Sequence, residues 1–247
     1  MKTAVILQPS YIPWLGYFEQ MFRSDSFVYL DDVQYTKNDW RNRNRIKNKT
    51  GWQWLTVPVT FKFGESLRDV RIESGNLWQR KQIQAIRASY GRSSFFDLYF
   101  GELETLLKKN YTYLIDLDLS MTTWITEKIG LDREISFSSK IPGHSQDRQF
   151  RLVELCGYLD CDGFYEGKSG QNYMDPELFR AHGITVEFQE YAHPCYTQLW
   201  LRERGFISHL SVIDLLFNHG PDSLRIISRE MTVTLPEGIK VRHADKL

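Results

Sequence analysis

The chain has 247 residues with 31 basic and 31 acidic side chains, so its formal net charge at pH 7 is zero. Balanced charge argues against a general binder of nucleic acid or membrane surfaces, which carries a large basic excess. No apolar run approaches the roughly 18 residues of a membrane span, and the first run ends at Gln8. Three cysteines, at 156, 161 and 195, have a spacing that predicts reduced thiols and no zinc site. We expect a cytoplasmic protein with no membrane span, no nucleic-acid partner and no metal site.

The first thirty residues are predicted to form a strand, a helix and a second strand. Apolar residues at 5–7 and 26–30 read as short buried strands, and the stretch between them has helical spacing. Strands of such a βαβ unit are parallel, so Gln8 and the pair Asp31 and Asp32 should lie at the same carboxyl edge. Ligands of open α/β sheets bind outside that edge.

The loop between the first strand and the first helix contains Pro9 and Pro13, which fix two φ angles. A strand followed by a helix N-terminus forms an anion or phosphate site in many α/β proteins. The alternative is an ordinary strand–helix turn. We take Gln8, Tyr11 and Trp14 as substrate-binding candidates in this loop, together with Asp31 beside it.

A concentrated basic segment follows at residues 37–49. Arg41, Arg43 and Arg45 occupy alternate positions, which on a strand would place their guanidinium groups on one face. Such a row can grip a phosphate or carboxylate through paired hydrogen bonds, although a solvated charged face is the alternative. The binding candidates here are Lys37, Arg41, Asn42 and Arg45.

The middle of the chain is predicted to be a hairpin followed by helices. Residues 48–51 read as a turn, 52–59 as a strand returning from it and 67–72 as a further strand. Helices are predicted over 77–90, 97–108 and 112–129. The sequence thus predicts one α/β domain over 1–247, with a mainly parallel sheet flanked by helices, a hairpin attached to it and a helical segment at 76–130 packed on one side.

A strand at 134–138, a helix at 146–159 capped by Ser145 and a strand before Gly167 are predicted next. Gly167-Lys168-Ser169 is similar to the end of a phosphate-binding P-loop, but Asp162 stands where that motif needs glycine, so a P-loop is excluded. Lys168 is kept as a binding candidate because glycines let a ligand approach the backbone.

The last third supplies the acid–base candidates. A strand at 184–189 leads to His193 and Cys195, whose i, i+2 spacing holds the side chains roughly 6–7 Å apart. That is too far for an activated thiol pair, so Cys195 is disfavoured as a nucleophile. Asp214 lies in an apolar helix predicted at 206–219, where a buried carboxylate needs a partner or serves a site. Residues after 229 are predicted to form a terminal extension.

Several stretches together resemble the WbqC-like protein family. They are Gln8-Pro9-Ser10-Tyr11-Ile12-Pro13-Trp14-Leu15-Gly16-Tyr17-Phe18, Asp31-Asp32-Val33-Gln34-Tyr35, Trp40-Arg41-Asn42-Arg43-Asn44-Arg45-Ile46, Leu55-Thr56-Val57-Pro58-Val59, Tyr191-Ala192-His193-Pro194-Cys195-Tyr196-Thr197-Gln198 and Leu210-Ser211-Val212-Ile213-Asp214-Leu215-Leu216-Phe217-Asn218. The family is associated with bacterial surface-polysaccharide gene clusters of the O-antigen type. The resemblance implies work on nucleotide-linked or lipid-linked sugars, and it carries over no catalytic residue.

Three hypotheses follow. The first is an enzyme that modifies a carrier-linked amino sugar by acyl or aminoacyl transfer from an acyl-carrier or aminoacyl-carrier donor. His193 would be the general base, since an imidazole suits proton removal from an amine. Asp32 and Asp214 are the further catalytic candidates. Arg41 and Arg45 would hold phosphate, and the candidates for bonding hydroxyls are Gln8, Asn42, Gln198 and Asn218.

The second hypothesis is an enzyme similar to nucleotidylyltransferases, with Mg²⁺ held by Asp31 or Asp32. The order of strand, loop, helix and strand resembles the start of those folds, but their histidine signature is missing, since no histidine precedes position 144. The third is a non-catalytic binding or assembly factor. The sequence leaves the cofactor unknown.

Overall fold

The structure is a computed structural model that describes residues 1–143 and 145–244. The loop predicted at 142–145 includes His144, which lies outside the described residues. The strands, in chain order, are β1 Thr3–Leu7, β2 Ser26–Tyr29, β3 Arg43–Asn48, β4 Gly51–Thr56, β5 Val59–Thr60, β6 Arg71–Ile72, β7 Ile135–Phe137, β8 Gly163–Glu166, β9 Thr185–Phe188, β10 Phe206–Ser208 and β11 Val241–His243.

The helices are α1 Leu15–Arg23, α2 Leu77–Tyr90, α3 Phe96–Lys108, α4 Leu114–Ile129, α5 Arg148–Tyr158, α6 Pro176–Arg180, α7 Leu201–Arg204, α8 Val212–His219 and α9 Ser223–Ile227. Five of the predicted helices are therefore present, namely α1 to α5. None of the described helices is long and apolar enough to cross a membrane.

The chain folds into two compact units. The first, which we call the sheet unit, comprises residues 1–9, 17–33 and 132–192; the second, the helical unit, comprises residues 10–16, 34–131 and 193–247. The single domain expected over 1–247 stays a prediction.

The sheet unit holds a five-stranded, wholly parallel sheet in the order β7-β2-β1-β8-β9. Its apolar core includes Ala4, Val28, Phe164 and Phe179. Leu7 pairs with Tyr29 in the β1–β2 register, so Gln8 and Asp31 follow neighbouring strands at the carboxyl edge. This confirms the parallel βαβ unit and a mainly parallel sheet flanked by helices.

The helical unit combines α2, α3, α4 and α8 with three two-stranded sheets, β3–β4, β5–β6 and β10–β11. Aromatic side chains join its helices: Phe96 lies 4.4 Å from Phe100 and 5.4 Å from Phe217, measured between ring centroids. The hairpin is present, but the expectation that it joins the main sheet is wrong, because β3 and β4 pair only with each other in the described chain.

Two further predictions about elements are wrong. The first part of the helix predicted at 206–219 is strand β10, because Gly205 and His209 both adopt positive φ (72° and 58°) and interrupt the helix on either side. Within the terminal extension predicted after residue 229, residues 241–243 pair in parallel with β10 as β11. Helix α5 is capped by Asp147 rather than Ser145, through bonds accepted from the N–H groups of Gln149 and Phe150.

Candidate functional site

A cluster of aromatic rings in the helical unit surrounds His193. Its imidazole stacks near Tyr196, with ring centroids 6.1 Å apart, and lies 5.0 Å from the ring of His209. Trp14 stacks on His209 at 5.1 Å with 20° between the planes, and on His193 at 6.3 Å. The sequence candidates Trp14 and His193 are thus brought together, with His209 as a member that the sequence did not indicate.

The hydrogen bonding of His193 fixes its tautomer. Its Nδ1 lies 2.8 Å from the carbonyl oxygen of Pro194, which can only accept, so Nδ1 carries the proton. Its Nε2 is buried and finds no hydrogen-bond partner among the described residues. Burial lowers the pKa of His193 to about 3, and His209 adds to the effect. The ring is therefore neutral at physiological pH, with an unprotonated Nε2.

His209 sits at a strained point of the chain, between β10 and α8. Its φ of 58° is unusual for a residue with a side chain, although histidine is among the types that adopt it more often. The Oγ of Ser208 lies 2.7 Å from Nδ1 of His209 and 2.8 Å from Nδ1 of His243. Strained residues of this kind cluster at functional sites. The sequence concealed His209 because residues 206–217 also fit a helical apolar stripe.

Trp14 depends on the glycine two residues later. A Cβ built on Gly16 would lie 2.2 Å from the Trp14 ring, so only glycine leaves room for the indole. The preceding loop is fixed by Asn44, whose side-chain amide donates to the carbonyl of Ile12 at 2.9 Å. Residues 10–16 of this loop therefore support Trp14, and the anion or phosphate site expected in the loop stays a prediction. Its residue Tyr11 is completely buried and donates its hydroxyl to Gln82.

Asp214 is fully buried and accepts three hydrogen bonds. The hydroxyls of Tyr90 and Tyr196 and the amide of Gln198 donate to its carboxylate, each at 2.8 Å. The Nζ of Lys47 donates to Gln198 at 3.0 Å. Burial raises the pKa of Asp214, and it lowers the pKa of Lys47 to about 8. Because Tyr196 packs against His193, Asp214 can position the imidazole through Tyr196.

Asn218, the other polar candidate on α8, forms its side-chain hydrogen bond within the helix. The side-chain amide of Asn218 donates to the carbonyl of Asp214 at 2.6 Å. Gln198 donates a second bond to the carbonyl of Ile207, so its amide is also used within the protein. These contacts give both side chains a structural role, and their contact with a substrate stays a prediction.

The three arginines of the basic segment do not all lie on one face of a strand. Arg43 and Arg45 share a face of β3, but Arg41 precedes the strand and donates to the Ser10 hydroxyl at 2.7 Å. Asn42 donates to the carbonyl of Val57 at 2.8 Å and is buried. Lys37 is exposed. The expectation of three guanidinium groups on one face of a strand is therefore wrong for Arg41.

In the sheet unit, the acidic pair is held by protein groups at the carboxyl edge. Asp31 accepts from the backbone N–H of Ser139 at 3.0 Å and from its hydroxyl at 2.6 Å. Asp32 forms an ion pair with Arg151 of α5, and the Ser138 hydroxyl lies 2.5 Å from the same carboxylate oxygen. Whether these carboxylates also meet a substrate stays a prediction.

Glu166, at the end of β8, is a titratable group that the sequence did not indicate. Burial raises its pKa to about 7. Lys168 lies two residues further on and is exposed. Gln8 is half-buried and accepts a long hydrogen bond of 3.5 Å from Tyr17 through its backbone carbonyl. The parallel sheet thus places Gln8, Asp31 and Glu166 at the carboxyl ends of the adjacent strands β1, β2 and β8.

A groove of about 560 Å³ in the helical unit contains none of the predicted site residues. It lies at the start of α2 and is lined by Arg71, Trp78, Asn110 and Tyr111 among others. Within 1–143 and 145–244, no group of three or more histidine, cysteine, aspartate or glutamate side chains is placed to hold a metal ion.

Taken together, fold and site define an α/β protein with a parallel sheet unit and a helical unit that carries a neutral imidazole among aromatic rings. The model of the WbqC-like protein family matches residues 8–226, and the chain belongs to that family. It is similar to the uncharacterized protein Rv1507c of Mycobacterium tuberculosis (strain ATCC 25618 / H37Rv), at 35% identity over 232 residues, which cover 91% of this chain and 98% of that protein. No solved structure matches, so the likeness to nucleotidylyltransferase folds is not confirmed.

Proposed function

We propose that this protein transfers an acyl or aminoacyl group to the amine of an amino sugar carried on a nucleotide or a lipid. The setting is the assembly of a bacterial surface polysaccharide, which the gene clusters associated with the WbqC-like family support. The observation that carries the proposal is the neutral His193, whose Nδ1–H is held by Pro194 while Nε2 keeps an unused lone pair.

Amide formation between an amine and an acyl donor needs a group that accepts a proton, such as the unprotonated Nε2 of His193. As the amine nitrogen attacks the carbonyl carbon of the donor, the new C–N bond leaves a proton on nitrogen that a base must accept. Nε2 of His193 takes that proton and returns it to the leaving thiol or alcohol when the carbon–leaving-group bond breaks. An anionic substrate beside the ring would raise the pKa of His193, because a negative charge favours imidazolium.

Two neighbours support the base. Tyr196 packs against His193, and its hydroxyl is held by Asp214, so this pair is assigned to positioning the imidazole. The donor would be an acyl carrier or an aminoacyl carrier. The predicted binding residues of the helical unit, such as Arg41, remain candidates for holding the substrate, and a binding role for Asp31 and Asp32 of the sheet unit stays a separate prediction.

Mass spectrometry of product formation tests the proposal. The protein is incubated with amino sugars linked to UDP or dTDP, or to a polyprenyl phosphate, and with acyl-thioester or aminoacyl donors. We expect His193→Asn to reduce kcat by about 10²–10⁴-fold in a protein whose far-ultraviolet circular dichroism spectrum shows that it is still folded. His182→Asn is the matched control, because His182 also bonds a backbone carbonyl through Nδ1 at 2.8 Å but is exposed.

Wild-type turnover in His193→Asn would remove His193 from the mechanism. Absence of product across the whole panel, alongside measurable sugar binding, would replace the transferase with a binding factor. The pH profile gives a second reading, since kcat/KM reports the free enzyme. With the pKa of His193 at about 3, this group should add no acid limb above about pH 5.

A further inference from the structure

The hairpin β3–β4 presents tryptophan and arginine side chains on one face. In its antiparallel register Arg45 lies opposite Trp54, and residues two apart share a face, which adds Arg43 and Trp52. Trp40 joins them from the loop before β3. We call these five residues, Trp40, Arg43, Arg45, Trp52 and Trp54, the Trp–Arg surface.

Arg45 sits at the centre of the Trp–Arg surface. Its guanidinium carbon lies 4.9 Å from the ring centroid of Trp40, 5.3 Å from that of Trp52 and 5.2 Å from that of Trp54. These are cation–π distances, and Arg45 is only 3% exposed. One buried cation therefore holds three indoles in fixed positions.

Two of the indoles remain open to solvent. Trp40 and Trp54 are each 38% exposed, and their ring centroids lie 5.8 Å apart with 42° between the planes. Tryptophan and arginine are the residues most enriched where proteins bind partners. A fixed, exposed pair of indoles gives a flat ligand a surface that loses little conformational entropy on binding.

Arg43 adds a cation at the edge of this surface. Its guanidinium carbon lies 4.4 Å from the Trp54 centroid, and it donates to the carbonyl of Asn38. Among the ion pairs of the described chain, none involves Arg43. A charge-complementary ligand is therefore anionic as well as planar.

From this juxtaposition of exposed indoles and an arginine without a carboxylate partner, we propose that the Trp–Arg surface binds the nucleoside diphosphate that carries the amino sugar. The base stacks on Trp40 and meets Trp54 only at its edge, because indole planes 42° apart cannot both stack on one base, and Arg43 contacts the phosphates. Stacking of a base on an aromatic ring stabilises nucleotide binding, and the guanidinium group of arginine matches the geometry of a phosphate. The inference rests on the proposed function and selects a nucleotide over a lipid as the carrier.

Titration calorimetry of the full chain with UDP, dTDP, CDP, ADP and GDP tests the inference. At least one diphosphate should bind more tightly than its free nucleoside, than inorganic pyrophosphate and than N-acetylglucosamine. Trp40→Leu should weaken that binding about tenfold, as expected for the loss of one stacking partner. Arg43→Ala should weaken it similarly and reduce its dependence on salt.

Matched controls are Trp78→Leu and Arg80→Ala, which lie on α2 outside the Trp–Arg surface and should bind as the wild type does. If Trp40→Leu fails to fold, ¹⁹F NMR of wild-type protein labelled with 5-fluorotryptophan shows whether the nucleotide contacts Trp40 and Trp54. The nucleotide must then shift the Trp40 and Trp54 resonances, assigned with Trp40→Phe and Trp54→Phe. No binding by any diphosphate, or binding that leaves Trp40 and Trp54 unperturbed, overturns the inference.

The outcomes separate this inference from the proposed function. Nucleotide binding that depends on Trp40 and Arg43, without any acyl transfer, supports the Trp–Arg surface and removes the transferase. Acyl transfer to a lipid-linked amino sugar, without nucleotide binding and unchanged in Trp40→Leu, keeps the transferase and overturns the nucleotide site.

Discussion

Backbone strain and ring stacking oppose each other at His209. A left-handed conformation costs a residue with a Cβ about 1–2 kcal/mol, whereas an aromatic stack such as that with Trp14 contributes about 0.5–1.5 kcal/mol. The two effects are of similar size, so the imidazole is held in place at little net gain in stability.

Replacing His209 by glycine and by alanine separates the two effects. Both variants lose the stack on Trp14, but only glycine tolerates the φ of 58° without strain. We expect His209→Gly to have a free energy of unfolding about 1 kcal/mol higher than His209→Ala, measured by urea denaturation. An alanine variant more stable than the glycine variant by about 0.4–1 kcal/mol, the difference expected from the entropy of the unfolded chains alone, would show that the turn carries no strain.

At this scale the sequence predicted one member of the imidazole cluster and missed another. His193 follows an alternating strand pattern and precedes a proline, so it stood out as a polar residue in a loop. His209 did not, because Leu210, Ile213 and Phe217 continue a helical spacing past it. The pairing that makes residues 206–208 a strand comes from residues 241–243, more than thirty positions away, which no local pattern shows.

At the scale of elements, the turn at residues 10–16 determines where Trp14 lies. Its backbone is held from β3 through Asn44, and Trp14 itself bridges to Ser211, the cap of α8. Residue 16 must be glycine for Trp14 to lie there, because the Trp14 indole occupies the space that any side chain at residue 16 would need.

Gly16→Ala should therefore displace the Trp14 indole. We expect a free energy of unfolding lower by about 1–3 kcal/mol, as for overpacked sites, and a changed near-ultraviolet circular dichroism spectrum. Gly101→Ala is the matched control, since Gly101 lies inside α3 with open space around its Cβ position. That change should raise stability by about 0.5–1 kcal/mol. An unchanged tryptophan signal in Gly16→Ala would contradict the packing.

The sequence predicted α2, α3 and α4 because each is a long segment whose apolar residues recur at helical spacing, a pattern that depends only on neighbouring residues. It predicted the parallel strands β1 and β2 because short apolar runs flank a helix. The hairpin β3–β4 was predicted, but it forms a separate two-stranded sheet instead of joining the main sheet, because the pairing of sheet edges depends on tertiary contacts. Arg45 was predicted to hold phosphate from its charge and from the alternate spacing of the arginines, whereas its burial among three indoles depends on the register of β3 against β4.

For the whole molecule, two buried groups give stability opposite dependences on pH. His193 has its pKa lowered to about 3 in the folded state, against about 6.5 when unfolded, so its contribution is complete above pH 6.5 and is lost as pH falls toward 3. Glu166 has its pKa raised to about 7, against about 4.5 when unfolded. Its destabilising effect is complete above pH 7 and is relieved as pH falls toward 4.5.

Urea unfolding between pH 7.5 and 4.5 separates these contributions. A single group changes the free energy of unfolding by at most about 1.4 kcal/mol per pH unit, so each effect is measurable. On acidification His193→Gln should lose less stability than the wild type, because the unfolded chain no longer gains that proton. Glu166→Gln should lose more stability than the wild type, because it lacks the carboxyl group whose protonation stabilises the folded protein at low pH. His182 is exposed, so His182→Gln should show the same pH dependence of stability as the wild type. Parallel curves for all four proteins would contradict both pKa shifts, since a group with the same pKa in the folded and unfolded states leaves the pH dependence of stability unchanged.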